Sequence, residues 1–185
     1  MSIKIKTPPS VNYATGNIQA ESLVEKSTTL GALEGVFFDE EAYASLDKNK
    51  VIYRVEMLPA ESADGELNFG TSHIEPGCVG NEYHMTRGHF HERIEQAEYY
   101  FGSAGEGLLV LQDQQGHVSL EKVFPGSVHH IQGYVAHRLV NTGDVRLSAL
   151  AVWPAIAGHD YGSLKEDGFN VRIFNENGQV KVEAK

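Results

Sequence analysis

At 185 residues, 41% of them hydrophobic, the chain has the size and apolar content of one domain with one sizeable core. Its 25 acidic residues against 15 Lys and Arg, a formal net charge of -10, disfavour wrapping nucleic acid or lying on an anionic membrane, yet leave room for a small anion at a locally positive site. Cys78 is the only cysteine, which excludes an internal disulfide, a four-thiolate zinc site and a Cys-x-x-Cys redox pair, so any metal must take nitrogen and oxygen ligands.

In chain order, residues 1–30 are weakly patterned and read as extended arms that pack on the body of the protein or on a second subunit. Met1 to Ser10 lacks the apolar stretch of a signal peptide, and no run of about eighteen apolar residues occurs, so a soluble, cytoplasmic protein is expected. A helix is predicted from Asp39 to about Lys48, with Asp39 as N-cap and Glu40 and Glu41 in its first turn. Eight strands then follow: Val51–Met57, Leu67–Ile74, Glu98–Phe101, Gly107–Gln112, Val118–Val123, Ser127–Ile131, His137–Asn141 and Arg146–Trp153. Gly-containing turns such as Gln114-Gln115-Gly116 and Pro125-Gly126 separate them. Asn177-Gly178 between two apolar runs signals a final hairpin. The expectation is an all-β sandwich or barrel in a single domain, 1–185, with its core roughly at 51–154.

The chemistry concentrates in Thr86-Arg87-Gly88-His89-Phe90-His91, Glu98-Tyr99-Tyr100 and Ala136-His137-Arg138. Two residues apart on a strand share a face, so His89 and His91 can point side by side into a barrel. Glu98 and His137 each open a strand or lie at its start, which suits a ligand set gathered from neighbouring strands. Three imidazoles and one carboxylate suit a divalent transition metal with positions open for substrate. With nine histidines, some His-x-His pairs arise by accident, and the downstream Glu and distant His are what raise this one above chance.

These residues resemble the cupin superfamily, whose first motif reads His-x-His, three or four residues, Glu, six residues, Gly, and whose second ends in His, three residues, Asn. His137 and Asn141 match that ending. The generic spacing selects Glu95, with Gly102 following, while Glu98 with Gly105 fits at a longer spacing. Gln132 and Tyr134 stand where the superfamily usually has Pro and Gly. The resemblance tightens against one branch, the cupin-type glucose-6-phosphate isomerases, through Gly65-Glu66-Leu67-Asn68-Phe69, Thr86 to His91, Ala97-Glu98-Tyr99-Tyr100, Ala136-His137-Arg138 and Ala157-Gly158-His159-Asp160-Tyr161-Gly162.

That branch implies a cupin (double-stranded β-helix, jelly-roll) barrel. It implies one divalent metal on His89, His91, Glu98 and His137, with Fe2+ first and Zn2+, Mn2+ or Ni2+ possible on the same ligands. Glu98 is then the base if a proton is transferred, with His137 and Tyr53 beside it in the reaction. A hydride shift is the other route, and sequence does not separate the two. By the same resemblance Thr71, Thr86, Gly88, His159 and Tyr161 hold the phosphate, Arg87 adds positive charge nearby, and Tyr53 and Tyr100 hydrogen-bond sugar hydroxyls. A homodimer is the family expectation. Ordinary readings stand beside these: Tyr53 and Tyr100 as packing aromatics, Thr71 as a strand threonine, Gly88 as a bulge. His73, His84 and His117 lack a partner pattern and are expected at the surface. Of the pair His129 and His130, one is expected to face the pocket and the other outward. Two rival functions are a cupin dioxygenase with the same three-His, one-Glu iron site and a non-catalytic sugar-binding cupin.

Overall fold

The computed structural model describes residues 3–164 and 168–185. Its strands in chain order are β1 (Ser10–Val11), β2 (Ile18–Gln19), β3 (Val24–Thr29), β4 (Val51–Leu58), β5 (Leu67–Ile74), β6 (Cys78–Val79), β7 (Glu82–Tyr83), β8 (Glu98–Ala104), β9 (Gly107–Asp113), β10 (Val118–Val123), β11 (Val128–Ile131), β12 (Val135–Asn141), β13 (Leu147–Pro154), β14 (Val171–Glu176) and β15 (Gln179–Ala184). The eight strands expected between residues 51 and 154 are all present, within a few residues of their expected ends. The single α-helix described, α1 (Glu40–Ser45), is shorter than expected, and Asp39 caps it by accepting from the Ala42 amide. In the final hairpin Asn177 and Gly178 both take positive φ, 55° and 82°, as a tight two-residue turn requires.

Antiparallel pairing builds a six-stranded sheet, β11-β8-β13-β5-β4-β3, and a three-stranded one, β10-β9-β12. The architecture is the expected all-β, cupin-like one, but the ladder does not run unbroken around a barrel. β10 and β11 are both sheet edges, and the side chains of Glu121 and His129 meet across the gap between them at 2.5 Å. A smaller sheet, β15-β14-β7-β6, lies alongside. The segment preceding β8 is not a regular strand. It lies against β12 through Thr86 N to Leu139 O at 2.9 Å, Asn141 N to His84 O at 3.0 Å, and a reciprocal pair between His89 and His137 at 3.2 and 3.0 Å.

Alternation sorts the side chains. Ile74, Leu109, Val123, Ile131, Leu139, Leu147 and Ala149 form one buried cluster inside, each large member worth about 1.5–3 kcal/mol of burial. The opposite face of β4, β5 and β13 carries a buried polar network instead. Glu56 accepts from Asn17 Nδ2 and the Ile18 amide, both at 2.7 Å. Thr71 donates to the Gly16 carbonyl at 2.8 Å, and His73 Nδ1 meets Ser148 Oγ at 2.8 Å. The N-terminal segment around residues 12–18 is thereby fastened to the back of the large sheet. Gly16 is required there: its φ is +74°, and a Cβ would stand 2.4 Å from Ser103 Oγ.

Two histidine expectations are corrected. His73 and His84 are fully buried, not at the surface, because each finds a partner in the interior. His84 Nδ1 donates to the Glu75 carbonyl at 3.0 Å. His117 is exposed, paired with Asp113. Residues 24–29, read as part of a weakly patterned arm, form an edge strand of the large sheet. No described helix is long and apolar enough to cross a membrane.

Candidate metal and substrate site

The ligand candidates come from three places. His89 and His91 lie on the segment bound to β12, Glu98 opens β8, and His137 is the third residue of β12. The His89–His137 backbone pairing sets their rings 4.5 Å apart. One donor atom from each of His89, His91, Glu98 and His137 falls in a group spanning no more than 4.8 Å. Donors about 2.0–2.2 Å from a shared ion stand about 3–4 Å from one another, so the four match a single cation with little movement.

The unpaired atoms point the same way. His137 Nε2 lies 2.5 Å and His91 Nε2 3.4 Å from Glu98 Oε1, yet Glu98 Oε1, His137 Nε2 and His137 Nδ1 are buried without a hydrogen-bond partner. Buried nitrogen and oxygen lone pairs converging with nothing to bind are costly unless a cation takes them. His91 is oriented to serve as such a ligand. Its Nδ1 donates to the Gln96 carbonyl at 2.8 Å, which leaves Nε2 as the lone-pair nitrogen facing the cluster.

Electrostatics keep Glu98 and His89 in ligand form and act the other way on His91. Burial opposes charge on Glu98, but the imidazoles of His137 and His91 outweigh it and hold the carboxyl well below the usual carboxylate range. Burial, with His137 and His159 adding to it, pushes His89 down to about 2, so its ring is neutral. His91 is opposed by burial too, but Glu98 and the Gln96 carbonyl raise it above its ordinary value. Glu95, the alternative carboxylate, is exposed and bonded to Gln96, outside the cluster.

A cavity opens onto these four residues, and Tyr53, Thr86, Gly88, Tyr100, His159 and Tyr161 all border it. His159 sits against His89, ring centroids 4.4 Å apart, and stacks on Tyr161. Tyr100 is held above its ordinary phenol range by burial and then by Glu98, so it stays a hydrogen-bond donor. The Thr86 hydroxyl accepts from the Leu139 amide, keeping its own hydrogen available.

Thr71 needs correction. It borders the cavity through its backbone strand, but its hydroxyl is on the opposite face, spent on the Gly16 carbonyl. Ser72, the next residue, is on the cavity side and was missed. The alternation Gly70, Ser72, Ile74 against Thr71, His73 was the available signal, since Ile74 is in the interior cluster. Also missed were Val55, Ala151 and Trp153, whose apolar side chains carry no chemical signature. Arg87 does not border this cavity; its guanidinium donates to the Ala32 carbonyl. Of the histidine pair, His129 is buried and bonded to Glu121 and Ser127, and His130 stacks outward on Tyr99.

Residues 27–185 match the protein family described as glucose-6-phosphate isomerase (GPI). The chain is 42% identical to the glucose-6-phosphate isomerase of Thermococcus onnurineus over 98% of this chain and 96% of that one. It is 44% identical to that of Thermococcus kodakarensis, covering 93% and 90%. A bacterial relative of the same name, from Sinorhizobium medicae, is 36% identical over 78% and 69%. Among solved structures, a Bacillus subtilis oxalate decarboxylase variant superposes with a TM-score of 0.47 at 17% identity, over 58% of this chain and 27% of that one.

Proposed function

Since the chain belongs to the glucose-6-phosphate isomerase family, we propose that it interconverts glucose 6-phosphate and fructose 6-phosphate at the cavity over His89, His91, Glu98 and His137. The observation that carries this reading is the convergence of those four donors, with Glu98 and His137 buried and unpartnered, at the floor of a cavity edged with hydroxyl donors. The four would hold one divalent metal, iron first, with zinc, manganese or nickel able to use the same donors; when bound, it would supply Lewis acidity to the reacting end of the sugar.

The chain's own groups do the rest. Glu98, ionised and buried, takes the proton from C2 of the open-chain aldose, exchanges it in part with solvent and delivers a proton to C1, while the hydroxyl proton moves from O2 to O1; the reverse steps regenerate the aldose. Tyr53 and Tyr100 orient the sugar hydroxyls. Ser72, Thr86, the Gly88 amide, His159 and Tyr161 receive the phosphate, and Gly88 presents its amide at φ +76°, a conformation residues with a side chain rarely adopt. Such a reaction joins glycolysis to gluconeogenesis, and a cytoplasmic setting suits a charged substrate. The exposed Tyr99, Phe101, Val128 and Val152 on the outer face of the large sheet, with exposed Ile3 and Ile5 on the N-terminal segment, suit a second copy of the chain, giving a homodimer.

Chelation tests the reading. Stripped protein loses glucose 6-phosphate turnover and regains it with added iron, and His137→Ala binds less than about a tenth of the metal of the parent, by elemental analysis, while Glu95→Ala binds it fully. Full turnover in rigorously metal-free protein overturns the proposal. Run in deuterium oxide, the reaction places deuterium on C2 or C1; a product free of deuterium would replace the Glu98 proton transfer with a hydride shift.

A further inference from the structure

A second concavity, of about 380 Å³, shares Gly88 and Tyr161 with the first and is edged by Arg87, Arg138 and Arg172. In a chain with ten more acidic than basic residues, three guanidiniums bordering one hollow call for a counter-charge. Glu82 is buried and bound to Arg172 at 2.9 Å, and Glu34 is exposed at the rim. Lys185 also borders the hollow.

The arginines are held mainly by neutral groups. Arg87 donates to the Ala32 carbonyl, and Arg138 donates to the Arg87 carbonyl and lies over the Phe169 ring at 4.4 Å. Arg138 Nε is buried with no hydrogen-bond partner. Arg172 donates to the Val36 carbonyl at 3.0 Å as well as to Glu82. Glu82 offsets the charge of Arg172, whereas carbonyls and a ring face fix the forks of Arg87 and Arg138 in place without neutralising them, which preorganises these two for an oxyanion. Gly88 keeps the wall thin, since a Cβ there would stand 2.5 Å from the Phe169 ring and 3.0 Å from Arg138 Cβ.

We propose that this hollow is a second anion site, built for a small dianion of the phosphate class. Two dianions on either side of the Gly88–Tyr161 wall repel, so filling it weakens sugar-phosphate binding next door. The source is either free phosphate or the head of a second sugar phosphate, and the test separates them.

Calorimetry on metal-loaded protein uses sorbitol 6-phosphate, which cannot isomerise, and inorganic phosphate. One sorbitol 6-phosphate per chain with one inorganic phosphate still binding beside it assigns the site to free phosphate, and two sorbitol 6-phosphates per chain assign it to a sugar-phosphate head. In either case Arg87→Gln weakens the second event about tenfold. Arg138→Lys, which keeps the charge and loses the fork, weakens it too. Phosphate uptake that needs Arg87 in a protein indifferent to sorbitol 6-phosphate supports this site while counting against the isomerase reading. One sorbitol 6-phosphate per chain with no phosphate beside it, or a second event unchanged by Arg87→Gln, overturns the proposal.

Discussion

Thr71 and Ser72 are chemically alike and adjacent, yet a strand sends their hydroxyls to opposite faces. The Thr71 hydroxyl ties the N-terminal segment to the sheet, whereas Ser72 borders the cavity. Ser72→Ala therefore raises KM for glucose 6-phosphate about tenfold with little change in melting, through loss of one charge-assisted hydrogen bond. Thr71→Val does the reverse: it costs about 1–2 kcal/mol of stability, by stranding the Gly16 carbonyl, and leaves KM in place. Steady-state kinetics beside urea titrations distinguish the two, and a swapped pattern would reverse the face assignment.

His84 carries a second residue-scale consequence. Burial depresses it from 6.5 to about 4, so the unfolded chain takes up a proton there before the folded one does. The stability it preserves is whole above pH 6.5, drains as pH falls from about 6.5 to about 4, and amounts to about 3 kcal/mol at most. His84→Gln, which cannot titrate, flattens the decline in stability between about pH 7 and pH 4.5 relative to the parent. A decline equally steep in the variant would assign the acid sensitivity elsewhere.

Among the elements, strands β4, β5 and β8 to β13 were legible because apolar alternation and Gly-rich turns both mark them, whereas the two-residue β6 and β7 carry too little pattern to read. β3 was not: Val24-Glu25-Lys26-Ser27-Thr28-Thr29 is mostly polar, as an edge strand with solvent beside it can be, and its place comes from pairing with β4. The four clustered donors were legible because ligand chemistry requires particular residue types at particular places. Polar residues serving the interior, His73 and His84, carry the same letters for a different reason, and only their partners, Ser148 and the Glu75 carbonyl, reveal it. The element-scale test is Gly16→Ala. Its Cβ collides with Ser103 while φ is positive, so the segment 12–18 lifts from Glu56 and Thr71 at a cost of about 1–3 kcal/mol. Amide exchange at Ile18 then quickens; an unaltered rate would mean the segment is held by other contacts.

For the whole molecule, the outer face of the large sheet leaves Tyr99 54%, Val128 65% and Val152 36% exposed, a contiguous apolar stretch that a lone soluble chain would ordinarily avoid. Sedimentation velocity should give the mass of two chains for the parent, and Val128→Lys with Val152→Lys should shift it toward one. A parent that sediments as a single chain removes the homodimer.

The gap between β10 and β11 gives the protein a hinge line that a fully laced barrel would lack. Along it, a turn at Phe124–Ser127 and the clasp of Glu121 on His129 bridge the two leaves among the described residues. The leaves can part there without tearing a single rung of either ladder. His137 and Glu98 belong to different leaves, so a cation held by both would rivet one leaf to the other.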